Sequence, residues 1–312
     1  MAITLGPNQY GKAETRVVRV YRDGGQHEIR DLNVSTLLRG DFADAHIRGD
    51  QARVLPTDSQ KNTCFAFAKQ KGIGQIEDYA LDLARHFVND IEPVTAARVE
   101  VEEYRWERVS VAGRPHPHAF ARAGDDVRTT AVTVSHGRSP GQSTWVVSGL
   151  RGLVLLKSTG SEFAGFLKDR YTTLAETHDR ILATSLTASW RYDLNAPRRG
   201  YARPRPKSWD EAHAQIRQIL IERFAVLHSL ALQQTLFAMG REVLAARDDV
   251  AEIRLSAPNR HHFLADLAPF GLDNPGEVFH AADRPYGLIQ CAVQRDDAPD
   301  PGPAWDSAAS FT

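Results

Sequence analysis

Residues 144–157, with the sequence TWVVSGLRGLVLLK, decide how the fold is interpreted, because an order of elements that has already run once begins again there. The stretch is rich in Val and Leu and predicts a long strand. The other predicted strands lie at 15–22, 28–38, 98–111 and 129–136 before it, and at 180–193, 250–256 and 286–294 after it. Helical sequence lies between the second and third strands of each half. The order strand, strand, helices, strand, strand therefore occurs twice.

The first unit has clear signals at its turns and helices. Residues 23–25 (DGG) predict a hairpin between the first two strands. A helix is predicted from about residue 58, and a second at 76–91, where apolar residues recur at steps of three and four and Pro93 follows. Within 98–111 the apolar alternation changes phase, which predicts a β-bulge near Glu102 and Glu103.

The second unit has a marked helix start and two segments without periodicity. Ser208 and Glu211 form the pattern of a capping box, and apolar residues continue from there to Leu230. Residues 194–207 are rich in Pro and Arg and predict an exposed loop, whose basic cluster is a solvated surface or a contact for an anion or partner. Residues 296–312 predict a disordered tail.

Two units of this kind predict an α+β protein with antiparallel sheets and helices layered on one face. Such sheets have long edges, and exposed edges favour aggregation. We therefore expect the sheets to close or to pair with another copy.

Composition narrows the class of protein. The chain has 312 residues, 42% of them hydrophobic, which is enough for one large core or two ordinary ones. Thirty-eight Lys and Arg against 39 Asp and Glu leave a net charge of −1, which favours neither a nucleic acid nor a membrane as partner.

The cysteines and termini bear on the compartment. Two cysteines, Cys64 and Cys291, are too few for a disulfide framework or a tetrathiolate zinc site. The N-terminal residues lack a long apolar core, and no later run approaches the roughly 20 apolar residues of a membrane helix. Residues 309–312 (ASFT) lack a Ser-Lys-Leu peroxisomal signal. A reducing bacterial cytoplasm is the expected location.

Residues 56–63 (PTDSQKNT) place many polar side chains between a predicted strand and a predicted helix. One interpretation is helix capping, because Thr, Asp and Ser accept hydrogen bonds from the unpaired N–H groups of a first turn. The other is an anion site, in which the same N–H groups and the helix dipole face a ligand. The sequence alone leaves both open.

Six separated motifs together resemble the urate oxidase (uricase) family, whose members oxidise uric acid with molecular oxygen and no cofactor. The motifs are YGK at 10–12, TDSQKNT at 57–63, KSTGSEFAGF at 157–166, YTTLAETHDRIL at 171–182, LQQT at 232–235 and PNRHHF at 258–263. Any one could arise by chance, whereas all six in order are specific. The resemblance covers the chain from residue 10 to about residue 294.

For the fold, the resemblance implies the tunnelling fold (T-fold). Two tandem antiparallel domains, at 1–140 and 141–295, would precede a flexible tail at 296–312. Four copies would form a homotetramer around a central tunnel, with active sites at subunit interfaces. Joining sheets across subunits leaves few free edges.

The resemblance also implies three catalytic residues. Lys12, otherwise a surface lysine just before the first strand, becomes the base, for which its amine must be neutral part of the time. Thr57, otherwise a helix cap, passes a proton between Lys12 and a bound water or substrate. His261 joins this relay.

Substrate-binding roles follow from the same resemblance. Phe163, otherwise a core aromatic, stacks on the purine. Arg180, otherwise in a surface ion pair, offers a planar fork to two acceptors. Gln233 binds the opposite edge, although residue type alone does not distinguish it from Gln234. Leu232 contributes a backbone contact.

The remaining site residues lie in two loops. The backbone N–H groups of Thr57 and Asp58 would face the five-membered ring of the purine. Asn259 would lie above the ring, where oxygen or water binds; its ordinary interpretation, shared with His261, is a turn with an Asx bond. His262 matches no functional position and is expected to be structural.

No metal is implied. His116 and His118 resemble a metal pair, but a prolyl loop without a third ligand in view is predicted there, so a structural role is expected. Two rival functions remain: a zinc-dependent pterin or GTP cyclohydrolase-like enzyme of the same fold, and a purine-binding protein without catalysis.

Overall fold

The computed structural model describes residues 2–136, 142–194 and 206–307, together with the backbone of 197–198 and 201–202. Its strands are β1 (Tyr10–Tyr21), β2 (Glu28–Gly40), β3 (Val94–Glu103), β4 (Trp106–Val111), β5 (Arg114–Arg122), β6 (Val127–His136), β7 (Gln142–Lys157), β8 (Leu182–Tyr192), β9 (Pro197–Arg198), β10 (Tyr201–Ala202), β11 (Val250–Pro258), β12 (His261–Leu264), β13 (Phe279–Ala282) and β14 (Leu288–Gln294). The α-helices are α1 (Ala43–Ile47), α2 (Thr57–Gln70), α3 (Ile76–Asp90), α4 (Trp209–Val226) and α5 (Leu232–Ala246), and 3₁₀ turns lie at Ala268–Phe270 and Gly302–Trp305.

The main feature is one eight-stranded sheet in the order β1-β2-β3-β6-β7-β8-β11-β14. Every neighbouring pair in it is antiparallel. The first four strands and the last four repeat the predicted order, and β6 and β7 join the halves. The α+β class is confirmed. The division into domains at 140/141 stays a prediction, and its boundary falls in residues 137–141, outside the described part.

Apolar side chains on one face of the sheet pack against the helices. Val99 and Val101 of β3 are buried in the core with Leu83 and Phe87 of α3. Helices α2, α4 and α5 contact β1, β7 and β11, respectively. Successive side chains of a strand point to opposite faces. Arg98, between two core positions, therefore points to the face without helices. The predicted layering agrees with this arrangement.

The bulge predicted near Glu102 and Glu103 is wrong. Strand β3 ends at Glu103, and Trp106 begins β4, which pairs with β5 as a separate hairpin. At the exit, the backbone N–H of Tyr104 donates to the Asp31 carbonyl (2.9 Å) and the Trp106 indole N–H donates to the Asp31 carboxylate (3.0 Å). The change of phase thus marks the chain leaving the sheet.

The disorder predicted for residues 296–312 is wrong as far as Ser307. This segment crosses the helix-free face and ends in the turn Gly302–Trp305, where Ala304 is buried. It is fixed by Arg191 to the Pro299 carbonyl (3.0 Å), Arg98 to the Ala304 carbonyl (3.3 Å), Trp305 to Glu252 (3.0 Å) and Arg39 to Asp306 (2.8 Å). Guanidinium donors on the sheet hold the segment, a role that its composition does not indicate. Residues 308–312 lie outside the described part.

Two further predictions concern the loop at 194–207 and membrane-spanning helices. Within 194–207, the backbones of β9 and β10 pair antiparallel, and the exposure predicted for residues 195–205 lies outside what the structure describes. In the described ranges, no helix is long and apolar enough to cross a membrane.

Candidate active site

Lys12 lies inside β1, so its predicted place before the first strand is wrong. It pairs with Thr36 of β2, and the register shifts between Lys12 and Thr15, where Glu14 has a φ of 57°. Gly11 permits this pairing, because a Cβ atom there would lie 1.8 Å from the Thr36 carbonyl oxygen. The close approach of β1 and β2 at Gly11 and the bulge after Lys12 therefore fix the position of Lys12, whose side chain is half-buried.

Helix α2 begins at Thr57 without a side-chain cap. Of the two interpretations left open for this stretch, side-chain capping is therefore not observed. Asp58 instead accepts hydrogen bonds from Lys61 and from the Asn62 amide (3.0 Å), and the Lys61 bond is the main reason that the pKa of Asp58 is lowered. The first-turn N–H groups are thus left for another acceptor, which favours the anion interpretation.

Two hydrogen bonds align the helix start with the strands. The Thr36 hydroxyl donates to the Gln60 side-chain carbonyl (2.8 Å), and both residues are buried. The Tyr10 hydroxyl donates to the Leu55 carbonyl (3.1 Å) just before the helix. Lys12 is close enough for its charge to contribute to the lowered pKa of Asp58. Lys12, Thr57 and Asp58 form what we term the N-terminal cluster.

Phe163 and Arg180 lie together in the second half. Phe163 exchanges backbone hydrogen bonds with Thr177 (2.8 and 3.0 Å), and its ring stacks on Phe166 at 4.8 Å with an interplanar angle of 15°. The Arg180 guanidinium carbon lies 5.3 Å from the centre of the Phe163 ring. Burial lowers the pKa of Arg180, and its buried Nε–H has no hydrogen-bond partner in the structure. A flat aromatic ring next to a donor without a partner suits a planar ligand with acceptor atoms.

The same loop is joined to the start of α5. Ser161 forms a parallel bridge with Ser229, two residues before the N-cap Ala231. The two glutamines that follow are both exposed, and Gln234 accepts a hydrogen bond from the Leu230 backbone (2.9 Å). The engagement of Gln234 favours Gln233, and the choice between them stays a prediction. Leu232 is buried, and its backbone contact with the ligand stays a prediction.

Asn259 and His261 lie across the start of β8. The Asn259 backbone N–H donates to the Gly287 carbonyl (2.8 Å), and Asn259 bridges Thr184. His261 begins β12, pairs with Ala282 and stacks on Phe263 at 5.6 Å. A strand therefore replaces the simple turn of the ordinary interpretation. Asn259, His261, Phe163, Arg180, Leu232 and Gln233 form what we term the C-terminal cluster.

The two clusters do not meet within one chain. The N-terminal cluster lies on β1, at one edge of the sheet, and on the start of α2, which packs on β1. The C-terminal cluster lies around the start of β8, five strands away. Adjacent strands are about 4.8 Å apart, so the separation along the sheet is roughly 24 Å. No hydrogen bond or ion pair among the described residues joins the two clusters. A site that uses both needs a second copy of the chain.

The histidines do not form a metal site in the described ranges, where no group of three His, Cys, Asp or Glu side chains is placed to hold an ion. His116 and His118 lie in β5, with ring centres 4.6 Å apart, and not in a prolyl loop. His262 contacts the Arg260 carbonyl (3.1 Å). That contact fits the structural role predicted for His262.

Comparisons with known proteins agree with these features. The uricase family model matches residues 8–133 and 146–290. The uricase of Arthrobacter globiformis is 47% identical over 99% of this chain and 96% of its own length, and that of Aspergillus flavus is 36% identical over 92% and 95%. The crystal structure of the Arthrobacter globiformis uricase superimposes with a TM-score of 0.89 over 98% of this chain and 99% of its own. The chain belongs to the uricase family.

Proposed function

We propose that this protein is a urate oxidase, which converts urate, O2 and water to 5-hydroxyisourate and H2O2 in purine degradation and needs no cofactor. One observation carries the proposal: the Arg180 guanidinium lies against the Phe163 ring, and its buried Nε–H has no hydrogen-bond partner in the structure. Membership of the uricase family, with relatives named uricase at 47% and 36% identity, supports the choice of substrate.

Binding in this proposal uses opposite edges of a flat ring. Phe163 stacks on the purine, and Arg180 donates from its fork to two acceptors on one edge. Gln233 offers its amide to the other edge, and the backbone at Leu232 adds a contact. Negative charge on the five-membered ring faces the N–H groups of Thr57 and Asp58, which have no side-chain cap.

The chemistry begins with removal of a proton from bound urate. Lys12, through Thr57 and with His261, takes this proton and leaves an electron-rich dianion. The dianion transfers one electron to O2, and the urate radical and superoxide so formed combine. The proton held by the relay returns to the product and gives a hydroperoxide. Loss of H2O2 and addition of water then yield 5-hydroxyisourate. Asn259 holds O2 or water above the ring, so the protein supplies orientation and proton transfer.

The quaternary structure and location follow as parts of the same proposal. The distance between the clusters supports active sites shared between subunits, in a homotetramer of two T-fold domains per chain (1–140 and 141–295). The free thiols of Cys64 and Cys291 support a reducing cytoplasm. We expect no nucleic-acid or membrane partner.

Incubation of chelator-treated protein with urate under air tests the proposal. We expect loss of urate absorbance, with one O2 consumed and one H2O2 released per urate. Purine binding without turnover would instead indicate the non-catalytic rival. Activity that is lost on chelation and restored by zinc would indicate the cyclohydrolase-like rival.

A further inference from the structure

Glu162, next to the aromatic residue Phe163, accepts hydrogen bonds from two histidines of different segments. The Glu162 carboxylate accepts a hydrogen bond from His228 Nε2 at 2.5 Å through one oxygen and from His178 Nδ1 at 3.2 Å through the other. The His228 bond is the main reason that the pKa of Glu162 is lowered, followed by the His178 bond. We term this group of three side chains the carboxylate clasp.

The clasp joins the three segments that carry the predicted urate-binding side chains. Glu162 directly precedes Phe163, and His178 lies two residues before Arg180. His228 precedes Ser229, whose carbonyl accepts the Glu162 backbone N–H (2.7 Å) and which leads into α5. The Glu162 carboxylate therefore links three segments: the one with Phe163, the one with Arg180 and the one that leads into α5.

We propose that Glu162 is a positioning residue for urate, which sets the spacing between the Phe163 ring, the Arg180 guanidinium and the N-terminus of α5 through the carboxylate clasp. This inference rests on the proposed function. Glu162 acts through its neighbours and needs no contact with urate.

The surrounding backbone bonds indicate that the clasp adjusts the site and does not hold the fold. Phe163 and Thr177 exchange two backbone hydrogen bonds, and the Arg180 N–H donates to the Ser161 carbonyl (2.9 Å). These bonds remain when the Glu162 side chain changes. His178 and His228 are largely exposed, with 77% and 57% of each side chain accessible, so the clasp lies at the surface of the described chain. Its loss should therefore move the binding groups without unfolding the loop.

Glu162→Gln tests this role, because glutamine keeps the size but cannot accept two charge-assisted hydrogen bonds. We expect KM for urate and Kd for the analogue 8-azaxanthine to rise roughly tenfold while kcat changes less than about twofold, since weaker placement affects bound substrate and transition state alike. Glu176→Gln is the matched control. That carboxylate lies in the same loop region but pairs with Lys168 (3.0 Å), and its variant should behave as wild type.

A double-variant cycle separates positioning from general stability. His228→Gln should raise KM as Glu162→Gln does, and the double variant should be no worse than either single one, because both remove the same contact. Wild-type turnover of urate is measured first, since its absence overturns the proposed function. Wild-type turnover with unchanged KM and Kd in Glu162→Gln overturns the positioning role alone. A lower melting temperature with unchanged KM also overturns it.

Discussion

The two clusters hold their side chains in different ways. In the N-terminal cluster, Lys12 lies on a strand, and the Thr36–Gln60 hydrogen bond fixes the helix start beside it. In the C-terminal cluster, Phe163 and Arg180 lie on irregular segments between β7 and β8, held by bridges such as Ser161–Ser229. A strand in the middle of a ladder cannot shift without breaking many backbone bonds, whereas a loop held by a few isolated bridges and by side chains can be adjusted.

This difference indicates a division of work. Proton transfer requires close control of distance, and the group proposed for it lies on regular structure. Recognition of a flat ring requires several donors and a surface in one plane, and loops supply these from distant parts of the chain. We therefore expect a change at Lys12 to lower kcat and changes at Phe163 or Arg180 to weaken binding.

Replacing the proposed base should have the largest effect. Lys12→Met removes the amine but keeps the length, so we expect kcat to fall roughly 10²- to 10⁴-fold. Binding of 8-azaxanthine, measured by calorimetry, should stay within about threefold of wild type, because Phe163 and Arg180 are unchanged. Unchanged turnover would reject Lys12 as the base, and loss of binding would break the proposed division.

Changing the arginine should act mainly on binding. Arg180→Gln removes the charge and the fork, and we expect KM for urate to rise about 100-fold. Arg180→Lys is the control that keeps the charge but not the paired donors. Its KM should lie between those of wild type and Arg180→Gln. Steady-state kinetics measures both variants. A KM as low as wild type in Arg180→Lys would show that charge alone suffices.

A single methyl group should disturb the strand that holds Lys12. In Gly11→Ala the new Cβ would meet the Thr36 carbonyl oxygen, so we expect a loss of about 1–3 kcal/mol in the free energy of unfolding and a lower kcat. Gly25→Ala is the control, because no atom lies within 4 Å of a Cβ there. Denaturant unfolding compares the two variants. Equal stability of Gly11→Ala and Gly25→Ala would contradict the close approach of β1 and β2 at Gly11.

The smallest predicted effect concerns acid stability in the second half. His213 of α4 is buried beside Trp190, with ring centres 5.6 Å apart, and burial lowers the pKa of His213 from 6.5 to about 3. Between those values the unfolded chain binds a proton that the folded chain does not, so stability falls as the pH falls below about 6.5. The single-proton slope corresponds to roughly 2 kcal/mol between pH 6.5 and pH 5.

His213→Gln should remove this part of the acid sensitivity. We expect the melting temperature of the variant to change less between pH 7 and pH 5 than that of wild type. Identical pH profiles would show that His213 does not contribute to it.

Much of the fold could be predicted because its signals are local. The apolar spacing at 76–91 and Pro93 predicted α3 to within one residue at its end, and Ser208 accepts the Glu211 backbone N–H (3.2 Å) as its pattern indicated. The β4–β5 hairpin was missed, because alternation shows that a segment is extended but not which strand it pairs with. The order of residues 296–307 was missed because its partners, such as Arg98 and Glu252, are distant in sequence.

The site residues could be named from motifs, but their arrangement could not. No local pattern shows that the clusters of Lys12 and Arg180 lie five strands apart in one sheet. Gln60 was also missed as a residue that aligns the start of α2 with the strands, because a glutamine in a helix is typical of an exposed face, whereas this one is fully buried against Thr36. Its place one turn after Thr57 is the signal that could have found it.

The central claim is that each active site combines the N-terminal cluster of one chain with the C-terminal cluster of another. The most direct test mixes Lys12→Met and Arg180→Gln subunits by co-expression, with each variant alone as the control. If sites are shared, random assembly gives about a quarter of sites with both wild-type clusters, so urate turnover should return to about 25% of wild type. Activity no higher than the sum of the separate variants would contradict the account.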